Sequence, residues 1–315
     1  MSPVPALPLQ TLAPAKINLG LFVGPLRGDG RHELVSVMQS ISLTDELTLE
    51  PAPEGATQDE VICPGVPGEN LAARALASFR AATGWDAPPL RLTIEKRIPV
   101  AAGLAGGSAD AAAALRLAAA AAGIPPTPPA ATGAGGSDSD SLLLRLAADL
   151  GADVPAQIRP GRWLATGAGE ILEELPDPVA PIGVLVLPLA AELSTAAVYA
   201  EADRLARLRK PAFLAERRQA LHAAFDLGMS LPHDADLLHN DLQAAAVSLC
   251  PAIKQALTEA RDAGAEPALL SGSGPTVIGL FPRANAVAAT ERAAAALADR
   301  TPTPIAAHIM PMSCL

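Results

Sequence analysis

One segment constrains the fold more than any other, because an alternating strand pattern, a glycine-rich turn and an alanine-rich helix follow one another directly. In residues 90–96 (LRLTIEK) the apolar Leu90, Leu92 and Ile94 alternate with polar residues, which predicts a strand with one buried face. The turn at residues 99–108 (PVAAGLAGGS) opens into the helix, which Gly123 and the prolines after it should end. The segment therefore predicts a strand-to-helix connection within a protein of mixed α and β structure.

Similar patterns elsewhere predict an α+β fold. The predicted strands are residues 15–23, 34–50, 276–281 and 304–310, with further strands within 161–187; the predicted helices are residues 70–82, 141–150, 196–208, 212–226, 240–249, 252–263 and 285–299. Helices dominate the second half of the chain, so we expect two domains, residues 1–165 and 166–315. The low-complexity segment 125–138 predicts a surface loop.

Composition excludes several functions. The chain has 315 residues but only five Phe, two Trp and one Tyr, so we expect an aliphatic core and no surface that stacks nucleic-acid bases. A net charge of −10 attracts neither nucleic acid nor an anionic membrane. Cys63, Cys250 and Cys314 lack metal-site spacing, and no signal peptide or spanning segment is evident. We therefore expect a cytoplasmic protein without a disulfide framework.

The glycine-rich turn has the chemistry of an anion site. Gly103, Gly106 and Gly107 allow the backbone to approach a ligand closely, and Ser108 stands where the helix begins. A strand-to-helix connection without any ligand would use the same glycines, so these residues alone leave both interpretations open. The spacing matches neither a Walker A loop nor a dinucleotide-binding fingerprint.

Four other places carry candidate chemistry. Lys16 and Asn18 share one face of the first strand, although a partly exposed strand edge is the simpler interpretation, because burying both would be costly. Asp153, in GADVP, could accept a proton from an alcohol, but on this segment alone an ordinary loop aspartate is the favoured interpretation. The SGSG turn (residues 271–274) permits close approach to a phosphate or is a plain turn. His32, in DGRH, is a lone histidine, a residue more often structural than functional.

Taken together, these segments resemble the GHMP kinase family. Its three characteristic blocks occur in order as PAKINL at 14–19, PVAAGLAGGS at 99–108 and SGSG at 271–274. Four further segments are most similar to the members that act on a cytidine diphosphate substrate, namely DGRHEL at 29–34, EKRIP at 95–99, LGADVP at 150–155 and HNDL at 239–242. The resemblance implies a two-domain architecture, with an N-terminal nucleotide-binding and catalytic domain and a C-terminal α+β domain.

The resemblance also implies ATP-dependent phosphorylation of an alcohol in isoprenoid precursor synthesis, with ATP and Mg²⁺ required and no protein metal ligand assigned. Asp153 matches the catalytic aspartate and Lys16 the lysine beside it. The positions matched to ATP binding are Pro99, Gly103, Leu104, Gly106, Gly107, Ser108, Asn70 and Lys96. The positions matched to the small-molecule cytidine diphosphate substrate are Asn18, His32, Arg31, Ser194, Thr195, Tyr199, Gly272 and Gly274. We expect a monomer or a homodimer.

Two positions depart from the family pattern. Arg31 stands where a tyrosine usually stacks on cytosine, so we expect the Arg31 guanidinium and the Tyr199 ring to bind the cytosine jointly. Asp110 stands where an asparagine is frequent and adds negative charge near the phosphates, unless it points into the helix or toward a metal. Two alternatives remain open: another GHMP small-molecule kinase, of the homoserine or mevalonate type, and a non-catalytic nucleotide-binding relative.

Overall fold

The computed structural model describes residues 7–66, 68–124, 138–226, 230–282 and 284–309, and every structural statement below concerns these residues. They form two compact units that alternate along the chain. Unit 1 takes its residues from Met1–Pro14, Thr44–Val100 and Gly106–Arg159, and unit 2 from Ala15–Leu43, Ala101–Ala105 and Pro160–Leu315. The division into residues 1–165 and 166–315 stays a prediction.

The expected α+β fold is confirmed. The strands of the described residues are β1 (Leu9–Leu26), β2 (His32–Pro51), β3 (Glu60–Ile62), β4 (Leu90–Glu95), β5 (Arg162–Thr166), β6 (Ile171–Glu174), β7 (Gly183–Leu187), β8 (Ala268–Leu270), β9 (Val277–Phe281) and β10 (Ile305–His308). Their helices are α1 (Leu71–Thr83), α2 (Gly106–Ala121), α3 (Asp138–Leu150), α4 (Val154–Ile158), α5 (Thr195–Arg204), α6 (Pro211–Phe225), α7 (Gln243–Leu249), α8 (Ala252–Asp262) and α9 (Ala286–Ala296). A 3₁₀ turn covers Ala235–Leu237.

Most predicted elements are present with bounds shifted by a few residues. The sequence patterns missed β3, β8 and α4, which are three to five residues long and therefore too short to show a period. The predicted loop at 125–138 falls outside the described residues except for its last residue, which begins α3. No helix in the described part of the chain is long and apolar enough to cross a membrane.

Unit 1 has a core of small aliphatic side chains. The second half of β2 pairs antiparallel with β4, and β3 pairs parallel with β4. The alternation in β4 is confirmed, because its apolar residues are buried and the residues between them are partly exposed. Helix α2 buries mostly alanines, which lets α1 pack closely against it. Helix α1 begins after Asn70, whose Oδ1 accepts from the N–H of Ala72, and ends at Gly84 with a φ of 65°.

Unit 2 contains strand pairs and a second sheet. The first half of β2 pairs antiparallel with β5, and β5 pairs with β6. The second sheet is antiparallel, with the order β10, β7, β9, β8. Strands β7 and β9 are buried along their whole length, because α8 and α9 pack against this sheet. The SGSG turn connects β8 to β9 and is thereby fixed at the end of this sheet.

Candidate active site

Lys16 and Asn18 form a buried polar pair on β1. They are only 7% and 3% exposed, so the expectation of a partly exposed strand edge is wrong. Lys16 Nζ donates to Asn18 Oδ1 at 2.9 Å, Asn18 Nδ2 donates to Ser36 Oγ at 2.7 Å, and Ser36 Oγ donates to the carbonyl of Gly20 at 2.7 Å. This chain of hydrogen bonds offsets the cost of burying the pair. It leaves an ammonium group in a fixed place.

The SGSG turn lies directly against this pair. A Cβ added at Gly272 would be 3.6 Å from Asn18 Oδ1, 3.7 Å from Lys16 Nζ and 3.1 Å from the carbonyl oxygen of Gly103. Ser271 Oγ donates to the same carbonyl at 3.1 Å. A Cβ added at Gly103 would lie only 2.5 Å from the carbonyl oxygen of Ser271. Unit 2 therefore brings together residues from all three characteristic sequence blocks.

The part of the glycine-rich turn that belongs to unit 2 has an unusual backbone. Ala101, Gly103 and Ala105 all have positive φ, at 53°, 73° and 55°. For the two alanines this conformation costs about 1–2 kcal/mol each. Leu104 is buried, and its carbonyl accepts from the N–H of Lys16 at 3.1 Å. Strained backbone held by its surroundings is common where a ligand binds.

The part that belongs to unit 1 begins α2. The helix starts at Gly106, so Ser108 is its third residue and not its first. A Cβ at Gly106 would be 3.0 Å from Ile98 Cγ2 and 3.2 Å from Lys96 Nζ, so a side chain there would crowd the segment that follows β4. A Cβ at Gly107 would meet nothing within 4 Å. Packing within the protein thus explains Gly106 but not Gly107, whose exposed backbone leaves room for a ligand.

Lys96 is held between two buried carboxylates. Its Nζ donates to Asp45 Oδ2 at 2.5 Å and to Asp110 Oδ2 at 2.8 Å. Asp45 also accepts from the backbone N–H groups of Arg97 and Ile98 at 2.6 and 2.8 Å. Burial raises the pKa of Asp110 to about 7, although Lys96 opposes the shift. Asp110 therefore points to Lys96, and its Oδ1 is buried without a hydrogen-bond partner in the described residues.

Three other predicted residues lie at element boundaries of unit 1. Asn70 uses its side-chain oxygen to cap α1. Pro99 is half-buried in the turn after β4. Asp153 occupies the N-terminal position of α4, where its carboxylate makes no capping bond to that helix and Pro155 stands in the first turn. The carboxylate of Asp153 is thus not used to cap the helix that positions it.

Helix α5 and the start of β2 form an aromatic contact in unit 2. The rings of His32 and Tyr199 are stacked, with centroids 5.1 Å apart and planes at 28°. His32 Nδ1 lies 3.0 Å from the carbonyl oxygen of Gly24, and its Nε2 lies 3.4 Å from Asp203 Oδ2. Arg31 is exposed and pairs with Asp29 at 3.1 Å. The structure thus places His32 beside Tyr199, and a joint role of Arg31 and Tyr199 at the base stays a prediction.

Asp203 was missed by the sequence reasoning, although its spacing offered a signal. It lies four residues after Tyr199 and therefore shares a face of α5 with it.

At the start of α5, Ser194 Oγ accepts from the N–H of Ala197 at 3.3 Å. Thr195 Oγ1 lies 3.0 Å from Ser273 Oγ, so the first turn of α5 contacts the SGSG turn. In that turn Gly274 has a φ of 83°, which favours glycine.

Family comparisons agree with this arrangement of small-molecule kinase motifs. The model described as "GHMP kinases N terminal domain" matches residues 70–161, and "GHMP kinases C terminal" matches residues 218–299. A protein of Nocardia farcinica is 41% identical over 300 residues, which cover 92% of this chain and 90% of that protein. The chain therefore belongs to the GHMP kinase family, and the resemblance of its motifs is confirmed.

The similar proteins differ in sequence identity, and the identity decides whether a match bears on function or on the fold alone. The Nocardia farcinica protein is named 4-diphosphocytidyl-2-C-methyl-D-erythritol kinase. A crystal structure of 4-(cytidine 5'-diphospho)-2C-methyl-D-erythritol kinase has a TM-score of 0.73 and 32% identity, and the match covers 96% of this chain and 99% of that one. A homoserine kinase from Cytophaga hutchinsonii has a TM-score of 0.70 over 96% and 95% of the two chains, but at 16% identity it shows the fold alone.

Proposed function

We propose that this chain transfers the γ-phosphoryl group of ATP to the 2-hydroxyl of 4-diphosphocytidyl-2-C-methyl-D-erythritol, in the non-mevalonate synthesis of isoprenoid precursors. The 41% identity to the Nocardia farcinica kinase supports this substrate. The structural observation that carries the proposal is the buried Lys16–Asn18 pair against the SGSG turn. Phosphoryl transfer depends mainly on positioning and charge stabilisation, and a preorganised ammonium group supplies both.

Asp153 and Lys16 carry the proposed chemistry. Asp153 accepts the proton of the substrate hydroxyl as the hydroxyl oxygen bonds to the γ-phosphorus, while the bond from that phosphorus to the β–γ bridging oxygen breaks and ADP leaves. Lys16 stabilises the negative charge that develops during transfer. Because its ammonium is already held by Asn18, little reorganisation is needed at the moment of reaction.

The glycine-rich turn and the start of α2 hold the phosphates of ATP. Backbone N–H groups at Gly106, Gly107 and Ser108 belong to the first turn of the helix, where they have no partner inside it and the helix dipole is positive. Asn70 serves the nucleotide from the start of α1, and Lys96 serves it from the residue that follows β4. Lys96 does so with its charge already offset by the Asp45 carboxylate, so it contributes position more than net charge.

Magnesium fits this site as an ion carried by ATP. In the described ranges no group of three His, Cys, Asp or Glu residues could hold a metal. Mg²⁺ commonly keeps several water molecules and binds through substrate phosphates with few protein ligands. The glycine-rich turn that binds the phosphates would therefore hold the ion through those phosphates, and the ion would neutralise part of their charge.

The cytidine end of the substrate is assigned to unit 2. His32, at the start of β2, stacks on Tyr199 of α5, and Arg31 lies next to His32 in sequence. The hydroxyls of Ser194 and Thr195 and the backbone at Gly272 and Gly274 serve the remaining part of the substrate. We propose that the enzyme works in the cytoplasm as a monomer or a homodimer, on a small molecule and without nucleic acid or membrane.

One assay tests the function against its alternatives. ATP consumption is measured separately with the cytidine diphosphate substrate, with homoserine and with mevalonate. We expect turnover with the cytidine compound alone. Turnover with homoserine or mevalonate instead would assign the chain to another branch of the family, and turnover with none of them would favour a nucleotide-binding protein without kinase activity.

A further inference from the structure

Asn240 is a buried amide whose hydrogen-bonding groups are all engaged. It is 3% exposed and stands just before α7, in the segment HNDL. Its Nδ2 donates to the carbonyls of Leu270 and Gly272 at 2.9 and 2.8 Å, and its Oδ1 accepts from the N–H of Leu242 at 2.9 Å. A flipped amide would place an oxygen against two carbonyl oxygens, so these partners fix its orientation.

The backbone around Asn240 is attached to β1. Leu21 donates its N–H to the carbonyl of His239 at 2.7 Å and accepts from the N–H of Asp241 at 2.9 Å. Leu21 and Asn240 thereby form an isolated parallel bridge. The residue that holds the SGSG turn is thus itself fixed to the strand that carries Lys16 and Asn18.

We propose that Asn240 is a positioning residue for phosphoryl transfer, acting through the SGSG turn on Lys16. The proposal rests on the proposed function, in which Lys16 stabilises the transferred group. Gly272 has no side chain that could anchor it. Its position near Lys16 therefore depends on the hydrogen bond that its backbone carbonyl accepts. That carbonyl accepts from Asn240 Nδ2 at 2.8 Å.

The close contacts make this dependence sharp. A Cβ added at Gly272 would lie only 3.6–3.7 Å from Asn18 Oδ1 and Lys16 Nζ, so the backbone of the turn leaves little free space beside the pair, and a shift of the turn changes the space that confines the ammonium. Two carbonyls that lose their donor inside the protein must reorient or stay unsatisfied. A misplacement of about 1 Å can cost about a hundredfold in rate.

The test compares the wild-type protein with three variants. Asn240→Ala removes both donors, and Asn285→Asp is a control for asparagine substitution at an exposed position where the side chain makes no capping bond. Ile253→Ala is a control for lost stability, because Ile253 is fully buried in α8 of the same unit. We expect Asn240→Ala to lower kcat by about ten- to a hundredfold with KM for both substrates changed less than threefold, and both controls to keep kcat within about twofold.

A double-mutant cycle with Lys16→Ala separates positioning from a merely structural role. If Asn240 acts through Lys16, then Asn240→Ala costs less than about threefold in kcat once Lys16 is already alanine. Equal fold-losses on both backgrounds, or a loss in Ile253→Ala of the same size at the same drop in Tm, would overturn the proposal.

A measurement without any ligand completes the test. Hydrogen exchange of the amides of residues 270–276 should be faster in Asn240→Ala and unchanged in Ile253→Ala at a temperature well below both Tm values. Unchanged exchange in Asn240→Ala contradicts the proposed hold on the turn. Failure of the proposed function appears separately, as a wild-type protein that turns over none of the three alcohols.

Discussion

Asp110 gives the most sharply quantified expectation for this protein. Its carboxyl has a pKa of about 7 against an ordinary 3.8, first because of burial, with Lys96 opposing the shift and Asp45 adding to it. The folded protein therefore keeps the proton up to about pH 7, whereas the unfolded chain releases it near pH 3.8. Folded stability from this group is greatest at low pH and is lost as the pH rises between these two values.

The size of the effect follows from the same values. The difference between 3.8 and about 7 corresponds to about 4 kcal/mol, lost at no more than about 1.4 kcal/mol per pH unit. Asp110→Asn removes the titration and keeps an oxygen that can accept from Lys96, while Asp45 still pairs with that ammonium. We expect the variant to exceed wild type at pH 8 by about 2 kcal/mol, with about 4 kcal/mol as the ceiling, and to differ little at pH 4.

The assay is denaturant unfolding of wild type and variant at several pH values between 4 and 8. Asp86→Asn is the matched control, because Asp86 is exposed in the same unit and the change in charge is identical. The control should stay within about 0.5 kcal/mol of wild type. A variant that is no more stable than wild type at pH 8, or a stability difference that does not change with pH, would refute the reasoning about the buried carboxylate.

Three further predictions concern other residues. Arg80→Ala should lower the free energy of unfolding by about 3 kcal/mol in denaturant titration, because all five N–H donors of Arg80 are used, two of them on Asp59. Gly107→Ala should keep the wild-type Tm but raise KM for ATP, whereas Gly106→Ala should lower Tm. The difference is expected because a Cβ at Gly106 meets neighbouring atoms and one at Gly107 does not. Arg31→Ala should raise the KM of the cytidine substrate more than it lowers kcat, and no effect on either would show that Arg31 does not hold the base.

Local sequence rules predicted the elements that carry the site. Helix α1 begins after Asn70 and ends at Gly84 because a side-chain oxygen and a left-handed glycine satisfy the two helix ends, and both residue types are visible in sequence. Strand β4 was also predictable from local sequence, because its apolar residues occur at every second position and are the ones that are buried. Helix α4 escaped because five residues cannot display a helical period.

The contacts between distant residues could not be predicted in the same way. Nothing local to Lys16 indicates that Gly272 lies against its ammonium or that Ser36 and Asn18 continue its hydrogen-bond chain, so the strand alone favoured exposure. Lys96, Asp45 and Asp110 likewise meet only in the folded unit. The family resemblance supplied the candidate residues, but their burial, partners and pKa shifts are properties of the packing.

The proposed reaction is phosphorylation of the 2-hydroxyl of the cytidine diphosphate substrate, with Asp153 as the base. Phosphorus NMR of a reaction with ATP and that substrate measures this directly. We predict a new phosphomonoester signal whose formation slows by about a hundredfold or more in Asp153→Asn, with the fold and Tm retained. ATP hydrolysed to ADP and inorganic phosphate without a phosphomonoester, or a variant that forms product at the wild-type rate, would contradict the account.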